Sequence, residues 1–262
     1  MQTSFPVPGR IAVIDFETTG SSPGQGARAT EVAIVLIEGG QVVGSFQSLM
    51  NAGVWVPPFI TQLTGITNAM VAAAPAAAEV MREAHAFVDG APMVAHNAPF
   101  DRGFWKAELA NAGCDAAHPY ACTVRLSRRL FHNALNHKLG TLVDYHHLPR
   151  AGQAHRALAD AEMAAALLGQ IQADLCARFA VPRPTHALLM ALQTWPRHTV
   201  PARLRKYLAE TPAAAWRPTG RSGAADHHAA DRIPRAERAD HADLAGPEVC
   251  AVPVKSDDGA RR

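Results

Sequence analysis

Cysteine is scarce in this chain of 262 residues. The four cysteines, Cys114, Cys122, Cys176 and Cys250, show no Cys-x-x-Cys spacing. This scarcity argues against a disulfide framework and against a structural zinc site. We therefore expect reduced thiols.

Long apolar runs and a large charge surplus are absent as well. No run approaches the roughly 20 residues of a membrane-spanning helix, and residues 1–10 lack the basic start and long apolar core of a secretory signal. We expect a cytoplasmic protein with no membrane partner. The formal net charge is only +2, which argues against binding through a large basic field, so any contact with nucleic acid should be local.

The segment from residue 11 to residue 20, IAVIDFETTG, combines an apolar run with two carboxylates. Its first four residues are typical of a strand buried on both faces. Because residues two apart in a strand share a face, Asp15 and Glu17 should project together while Phe16 points into the core. Paired carboxylates repel unless a proton or cation neutralises them, and their hard oxygens suit Mg²⁺ or Mn²⁺. Taken alone, this pair is more often the solvated end of an ordinary strand.

The remaining elements predict the fold class. Hydrophobic residues make up 48% and charged residues 18% of the chain, enough apolar material for a sizeable buried core. Two further strands joined by a Gly39-Gly40 turn follow the first, and helices and strands then alternate. The predicted strands are 11–14, 31–37, 41–49, 92–95 and 120–123, and the main helices are 75–88, about 101–111, 124–131, 138–146 and 155–179. This order predicts an α/β fold with a mixed five-stranded sheet flanked by helices.

Two more acids lie where they could reach the first pair. Asp101 follows Asn97, a predicted N-cap, and Pro99, which is tolerated in a first helical turn. Asp160 lies on the long Ala-rich helix. Singly, Asp101 is a helix-start residue favoured by the macrodipole, and Asp160 is a surface acid. Together with the strand pair they could hold two divalent ions about 3.5–4 Å apart, as in-line phosphoryl displacement requires.

Three segments in order carry a family resemblance: Asp-Phe-Glu-Thr-Thr-Gly from residue 15, His-Asn-Ala-Pro-Phe-Asp from residue 96, and His-x-x-x-x-Asp from residue 155. They resemble the three motifs of the DEDD 3′→5′ exonucleases, in the branch with a histidine in the third motif. Residues 8 to 178 are most similar to the proofreading epsilon subunit of bacterial DNA polymerase III and its stand-alone relatives. The resemblance implies a ribonuclease H-like fold.

The resemblance also implies residue roles. The metal ligands fall on Asp15, Glu17, Asp101 and Asp160, which would hold two divalent ions, Mg²⁺ or Mn²⁺. The general base falls on His155, and imidazole is the side chain whose unperturbed pKa suits that role near neutral pH. The expected contacts to the terminal nucleotide are Thr18, Leu63, Thr64, His96, Asn97 and Phe100. The epsilon subunit has a histidine at the position of Thr64, so this chain departs from it at the sugar contact.

The third motif carries a geometric expectation of its own. Five positions along a helix turn about 500°, which leaves His155 and Asp160 roughly 140° apart. Both cannot face the metals from one regular helix, so His155 should lie on the loop or the frayed first turn. We expect it to be mobile until metals and substrate bind.

These features predict a domain organisation and a function. Residues 1–9 form an N-terminal extension, 10–178 the exonuclease domain, 179–210 a helical extension and 211–262 a disordered tail. The expected activity is 3′→5′ hydrolysis of single-stranded or frayed DNA ends, releasing nucleoside monophosphates. An exoribonuclease of the same superfamily and a non-catalytic nucleic-acid or polymerase-binding module are the alternatives. A DNA polymerase or another replication protein could be a partner.

A basic cluster in the helical extension has two interpretations. Arg197, Arg203, Arg205 and Lys206 could grip a nucleic-acid backbone, or form the solvated face of a short helix. The apolar stretch from residue 187 to residue 192 could cover the domain or bind a partner.

Overall fold

The computed structural model of the chain describes residues 9–115, 117–150, 152, 155–182 and 184–211. The predicted N-terminal extension up to residue 8, the tail beyond residue 211 and Cys250 lie outside these ranges. The other three cysteines are free thiols, as expected.

A mixed five-stranded sheet forms the centre of the fold, as predicted. Its strands are β1 (Arg10–Thr18), β2 (Ala29–Glu38), β3 (Gln41–Leu49), β4 (Met93–Ala95) and β5 (Tyr120–Cys122), in the spatial order β3-β2-β1-β4-β5. The first three pair antiparallel, whereas β4 runs parallel to β1 and to β5. Gly39 and Gly40 join β2 to β3 with φ values of 61° and 83°, the left-handed geometry of a tight hairpin turn.

Helices cover both faces of the sheet. They are α1 (Pro58–Thr64), α2 (Asn68–Ala73), α3 (Ala77–Val88), α4 (Ala98–Asn111), α5 (Thr123–Leu130), α6 (Leu139–Tyr145), α7 (Ala157–Phe179), α8 (His186–Leu192) and α9 (Val200–Glu210). Strand β1 is buried on both sides because its side chains alternate between two cores. Ile11 and Val13 join the core with α5 to α9, whereas Ile14 and Phe16 join the core with α3 and α4.

The parallel strands bring three chain segments to one edge of the sheet. Strands β1, β4 and β5 point the same way, so their carboxyl ends meet at that edge. Helix α4 begins directly after β4, and α5 begins directly after β5. Asn97 occupies the N-cap position of α4 as predicted, but its φ is 72° and its side chain makes no capping bond, because side-chain capping needs an extended backbone at that residue.

The C-terminal helices complete the core on the α7 side. Leu188, Leu189 and Leu192 of α8 and Leu204 of α9 are buried against it. Gln193 closes the outer edge of β5, accepting a hydrogen bond from the Cys122 N–H at 2.8 Å and donating to the Tyr120 carbonyl at 3.1 Å. Of the two interpretations of residues 187 to 192, the structure therefore favours covering the domain. No helix among the described residues is long and apolar enough to cross a membrane.

Candidate active site

The five acid and histidine residues singled out in the sequence come together at the edge where β1, β4 and β5 end. Asp15 and Glu17 project from the face of β1 that packs against α7. Asp101 lies in the first turn of α4, and Asp160 lies in the first turn of α7. One ligand atom each from Glu17, His155 and Asp160 lie within 4.8 Å of one another.

Asp101 joins this group from beneath the surface, being only 2% exposed. Burial and the charge of Glu17 raise the pKa of its carboxyl well above the usual value, although the backbone N–H groups of Asp101 and Phe16 oppose this rise. The Phe16 N–H belongs to the strand between the two β1 acids. The carboxylate of Asp101 is therefore held against the strand that carries Asp15 and Glu17.

Burial raises the pKa of each of the other carboxylates, and neighbouring negative charges add to this rise for Asp15 and Glu17. Burial, then the charges of Asp101, Asp160 and Glu17, raise the pKa of Asp15 well above its usual value. Burial, with Asp160 and Glu31, raises the pKa of Glu17 to about 7. Burial also raises the pKa of Asp160. A group of four carboxylates whose charges disfavour one another is the donor set that hard divalent cations fit.

His155 stands outside the helix, as the spacing argument predicts. Helix α7 begins at Ala157, and His155 has a left-handed backbone with φ of 60°. Its backbone N–H donates to Asp160 Oδ2 at 3.0 Å, which holds His155 beside the first turn of α7. The imidazole is exposed beside the carboxylates. Its mobility before metal and substrate bind stays a prediction.

A cleft of about 820 Å³ opens from these residues. Its lining includes four of the predicted nucleotide contacts, Thr18, Leu63, Thr64 and Phe100. It also includes Trp55 and Phe59, whose side chains are 65% and 64% exposed. The sequence analysis did not name these two aromatic residues individually. The available signal was a pair of aromatic residues on either side of Pro57-Pro58.

The hydroxyls of the two predicted threonine contacts are already engaged. Thr18 donates to the Gly20 carbonyl at 2.7 Å. Thr64 is buried, donates to the Ile60 carbonyl at 2.9 Å and accepts from the Ile66 N–H at 3.0 Å. These bonds stabilise the backbone around the cleft, and contacts of Thr18 and Thr64 with the terminal nucleotide stay predictions.

His96 and Asn97 do not appear among the described residues that line the cleft. The His96 ring instead bridges Thr123 Oγ1, at 2.8 Å from Nδ1, and the His137 carbonyl, at 3.1 Å from Nε2. Burial lowers the pKa of His96 to about 4, so the ring is neutral at physiological pH. The ring of His96 is thus directed towards α5, and a contact of His96 or Asn97 with the terminal nucleotide stays a prediction.

Comparison with known proteins decides the family. The family model RNase_T, described as an exonuclease, matches residues 12–168, more than half of the chain. The chain belongs to this exonuclease family. The match contains all five residues of the acid and histidine group, and the recognition made from the three sequence motifs is confirmed.

The exonuclease domain has curated relatives that are much longer. It is 42% identical over 159 residues to the 3′-5′ exonuclease DinG of Bacillus subtilis (strain 168), covering 59% of this chain and 16% of that protein. It is also 42% identical over 134 residues to a DNA polymerase III subunit epsilon-like protein of Rhodobacter capsulatus, covering 50% of this chain and 19% of that protein. The chain thus spans less than a fifth of the length of either relative.

A solved structure supports the fold of the exonuclease domain. Exonuclease X in complex with 5′ overhanging duplex DNA is 26% identical, with a TM-score of 0.54, and the match covers 70% of this chain and 99% of that one. The predicted ribonuclease H-like fold is confirmed.

A buried glutamate that the sequence analysis missed supports the third exonuclease motif. Glu31 of β2 lies opposite Glu17 in the sheet and is fully buried. It accepts from Arg156 at 2.7 and 3.2 Å, from the Ala157 N–H at 3.0 Å and from Gln47 at 2.8 Å. Burial alone would raise the pKa of Glu31, but these bonds outweigh burial and lower it.

Glu31 therefore supplies the cap that α7 lacks from its own sequence. Arg156 at the N-cap position makes no side-chain capping bond, so the Glu31 carboxylate satisfies the first free N–H of the helix instead. The helix turn that presents Asp160 and the preceding residue His155 are thus fixed to the sheet that presents Glu17. A charged residue at the start of an otherwise apolar strand was the available signal.

We expect Glu31→Gln to lower both stability and catalysis. Glutamine can accept from Arg156 but cannot replace both carboxylate oxygens, so the free energy of unfolding should fall by about 1–3 kcal/mol. Loosening α7 by a fraction of an ångström should reduce kcat by about tenfold or more, with a smaller effect on KM. Denaturant unfolding and steady-state hydrolysis of an oligonucleotide measure the two effects.

Glu108→Gln is a matched control for this variant. Glu108 is also buried, binds Arg28 at 2.8 and 2.9 Å and accepts from the Ala29 N–H at 3.0 Å. It lies on α4, about two turns beyond Asp101, and does not touch α7. An equal loss of kcat in both variants at equal stability would contradict a positioning role for Glu31.

Proposed function

We propose that the chain is a cytoplasmic, metal-dependent 3′→5′ exonuclease that acts on single-stranded or frayed DNA ends. It releases nucleoside 5′-monophosphates from the 3′ terminus. The single observation that carries the proposal is the meeting of Asp15, Glu17, Asp101 and Asp160 beside His155, from three separate elements, at the end of a cleft. Membership of the exonuclease family supports the reaction class.

The four carboxylates are the proposed holders of two divalent ions, Mg²⁺ or Mn²⁺. Carboxylate oxygens suit these hard cations, and burial together with the charges of Asp160 and Glu31 raises the pKa of Glu17 to about 7, a cost of ionisation that a bound cation would offset. When bound, such ions lower the pKa of a water and neutralise charge that develops on the phosphate and on the leaving oxygen.

His155 is the proposed proton acceptor for the attacking water. Its imidazole is exposed beside Glu17 and Asp160, and imidazole accepts protons near neutral pH. The hydrogen bond from its backbone N–H to Asp160 sets the position of the ring relative to the carboxylates. No other histidine among the described residues has a ring within this cluster.

The cleft surface fits an unpaired terminal nucleotide. Leu63, Phe59 and Trp55 expose half or more of their side-chain surface there. Bases stack on such apolar and aromatic surfaces regardless of sequence, worth about 1–3 kcal/mol per base. A paired base would have to leave its duplex to make these contacts, which supports a single-stranded or frayed end as the substrate.

An end-labelled oligonucleotide assay tests the proposal. The purified chain with Mg²⁺ or Mn²⁺ should shorten a 5′-labelled single strand stepwise from its 3′ end, and chelation should stop the reaction. The products should be nucleoside 5′-monophosphates. Absence of a ladder with either ion, or internal cleavage with no 3′-end requirement, would refute the proposal.

The preference for DNA over RNA and the protein partner each need a separate experiment. Matched DNA and RNA strands of one sequence should give the faster rate on DNA, and a faster rate on RNA would favour the exoribonuclease alternative. A DNA polymerase or another replication protein is the proposed protein partner, in keeping with the name of the epsilon-like relative. Copurification from the native cell, with identification of the bound proteins, tests that partner.

We expect His155→Ala to reduce kcat by about 10²–10⁴-fold, the usual contribution of a positioned general base. Binding of Mn²⁺, followed by calorimetry, should persist because four carboxylates remain. His132→Ala provides the control, since His132 is also exposed but lies outside the cluster. If His155→Ala retains more than half of the wild-type rate, the base assignment is refuted.

A further inference from the structure

The arginines of the described ranges fall into two groups. The first group forms salt bridges with carboxylates, and its members are Arg10, Arg28, Arg150, Arg156 and Arg178. The second group forms no salt bridge with another described residue. Six of its members are Arg102, Arg125, Arg128, Arg129, Arg197 and Arg203, which, like Arg205, belong to α4, α5, α9 and the turn before α9. We call these six the arginine track.

Contacts of Arg125, Arg129 and Arg203, two of them made through Trp195, connect α5 with the C-terminal part of the arginine track. Arg129 donates to the Arg125 carbonyl at 2.7 Å and to the Trp195 carbonyl at 2.7 Å. The guanidinium of Arg203 lies 5.7 Å from the centre of the Trp195 ring. Arg197 follows Trp195 by two residues. Helix α5 and the C-terminal helices, far apart in sequence, thus bring Arg125, Arg129 and Arg203 together around Trp195.

Repulsion within this surface is evident from Arg129. Burial, and the positive charges of Arg125 and Arg128, lower the pKa of its guanidinium. Unpaired like charges cost free energy in the isolated protein, and an anionic partner would recover it. The formal net charge of the chain is only +2, so the arginine track is a local excess of positive charge.

The arginine track begins next to the cleft. A second cavity of about 260 Å³ is lined by Arg102, Arg125 and Pro99, and no acidic residue is among its described lining residues. Only the first turn of α4 separates the two cavities, because Phe100 lines the cleft while Pro99 and Arg102 line the second cavity. From there Arg128 and Arg129 continue along α5, which rises about 1.5 Å per residue.

We propose that the arginine track binds the phosphate backbone of the nucleic acid that extends from the cleft, 5′ of the terminal nucleotides. This proposal rests on the proposed exonuclease function and adds a second region of substrate contact to it. Guanidinium groups pair with phosphates through charge-assisted hydrogen bonds and do not read sequence. The track therefore increases affinity for longer substrates and leaves the chemical step at the cleft unchanged.

Binding measurements with two strand lengths test the track. The full chain carrying Asp15→Asn, which blocks cleavage, is titrated with 5′-fluorescein single strands of about 4 and about 20 nucleotides. Combining Arg125→Gln, Arg128→Gln and Arg203→Gln should weaken binding of the long strand about tenfold at low salt. The slope of log Kd against log salt should fall by about 2, or about 0.7 for each lost phosphate contact. Binding of the short strand should change little.

Arg82→Gln is the matched control. Arg82 is exposed and also forms no salt bridge with a described residue, but it lies on α3, across the sheet from α5. It should change neither the long-strand affinity nor the salt slope. Thermal unfolding of each variant shows that the fold is retained, and Arg125→Gln alone gives a weaker form of the same test.

Hydrolysis of thymidine 5′-monophosphate p-nitrophenyl ester separates this proposal from the proposed function. This ester reports on the cleft alone, so the triple variant without Asp15→Asn should hydrolyse it at the wild-type rate. A wild-type chain that hydrolyses neither this ester nor the 3′ end of an oligonucleotide would overturn the exonuclease function, while the binding titrations still test the track. Equal long-strand affinity and salt slope in a folded triple variant and its parent would overturn the track.

Discussion

Asp15→Asn should abolish phosphodiester hydrolysis and, without divalent ions, make the protein more stable. Hydrolysis should fall by several orders of magnitude, because Asp15 is central to the carboxylates proposed to hold both ions. Stability should rise by about 1–3 kcal/mol, since burial and the charges of Asp101, Asp160 and Glu17 disfavour the ionised Asp15 carboxyl in the fold, and asparagine does not ionise. Oligonucleotide ladders and denaturant unfolding in EDTA measure the two effects.

The pH dependence of the ion-free protein provides a second measurement. A carboxyl whose pKa is higher in the folded state than in the unfolded state destabilises the fold above that pKa, and the lost stability returns as pH falls. Glu17, whose pKa is raised from 4.5 to about 7, therefore predicts that the wild type in EDTA gains stability as the pH falls from about 7 towards 4.5. The gain should be smaller in Asp15→Asn, which has already lost part of the repulsion.

Adding Mg²⁺ or Mn²⁺ should reverse the order of stability. The ions stabilise the wild type by mass action, whereas Asp15→Asn has lost a ligand and should respond weakly. Asp144→Asn is the control, since Asp144 is exposed and pairs with Arg150 at the surface. Such pairs contribute little, so its stability should change by less than about 0.5 kcal/mol. A wild type that is indifferent to both ions would contradict the metal site.

Ending the chain after Ala180 should prevent folding of the exonuclease domain. The deletion removes side chains that are buried against α5 and α7, namely Val181, Leu188, Leu189, Leu192, Val200 and Leu204. Each contributes about 1.5–3 kcal/mol through burial, and their sum is comparable to the roughly 5–15 kcal/mol by which domains are stable. Soluble yield, circular dichroism and thermal unfolding of the purified fragment measure the outcome.

Two companion variants make this prediction specific. A chain that ends after Thr211 retains every helix described here and should fold with an unchanged melting temperature. Leu189→Ala should destabilise the full chain by about 2–5 kcal/mol, the usual cost of removing a buried leucine side chain. A fragment ending at Ala180 that unfolds cooperatively at the wild-type temperature would show that residues 181–211 are dispensable for the core.

Local patterns were enough to predict much of the sheet and the acidic group. Strand β1 is visible because four apolar residues precede Asp15, and period two places Glu17 on the same face. The position of His155 before α7 followed from helix geometry once the family resemblance had assigned both His155 and Asp160 to the metal site. These features depend on residues within a few positions of one another, where sequence reasoning is strongest.

Long-range contacts account for what could not be predicted. The bond between Glu31 and Arg156 joins residues 125 positions apart, and no local pattern specifies which carboxylate caps α7. The hydrogen bonds of the His96 ring to Thr123 and to the His137 carbonyl join residues 27 and 41 positions apart, so no local pattern predicts them either. Of the arginine track, the sequence analysis named only Arg197 and Arg203, because α5 and the C-terminal helices meet only in the folded chain.

The Gln193 side chain imitates one residue of a neighbouring strand. Its amide accepts from the Cys122 N–H and donates to the Tyr120 carbonyl on the outer side of β5. These two backbone groups at the border of the sheet are therefore already hydrogen-bonded to a side chain. An incoming strand from another molecule would have to displace that amide first. Growth of the sheet by strand exchange or aggregation is therefore directed to the opposite border, at β3, where Val42 and Val43 are exposed.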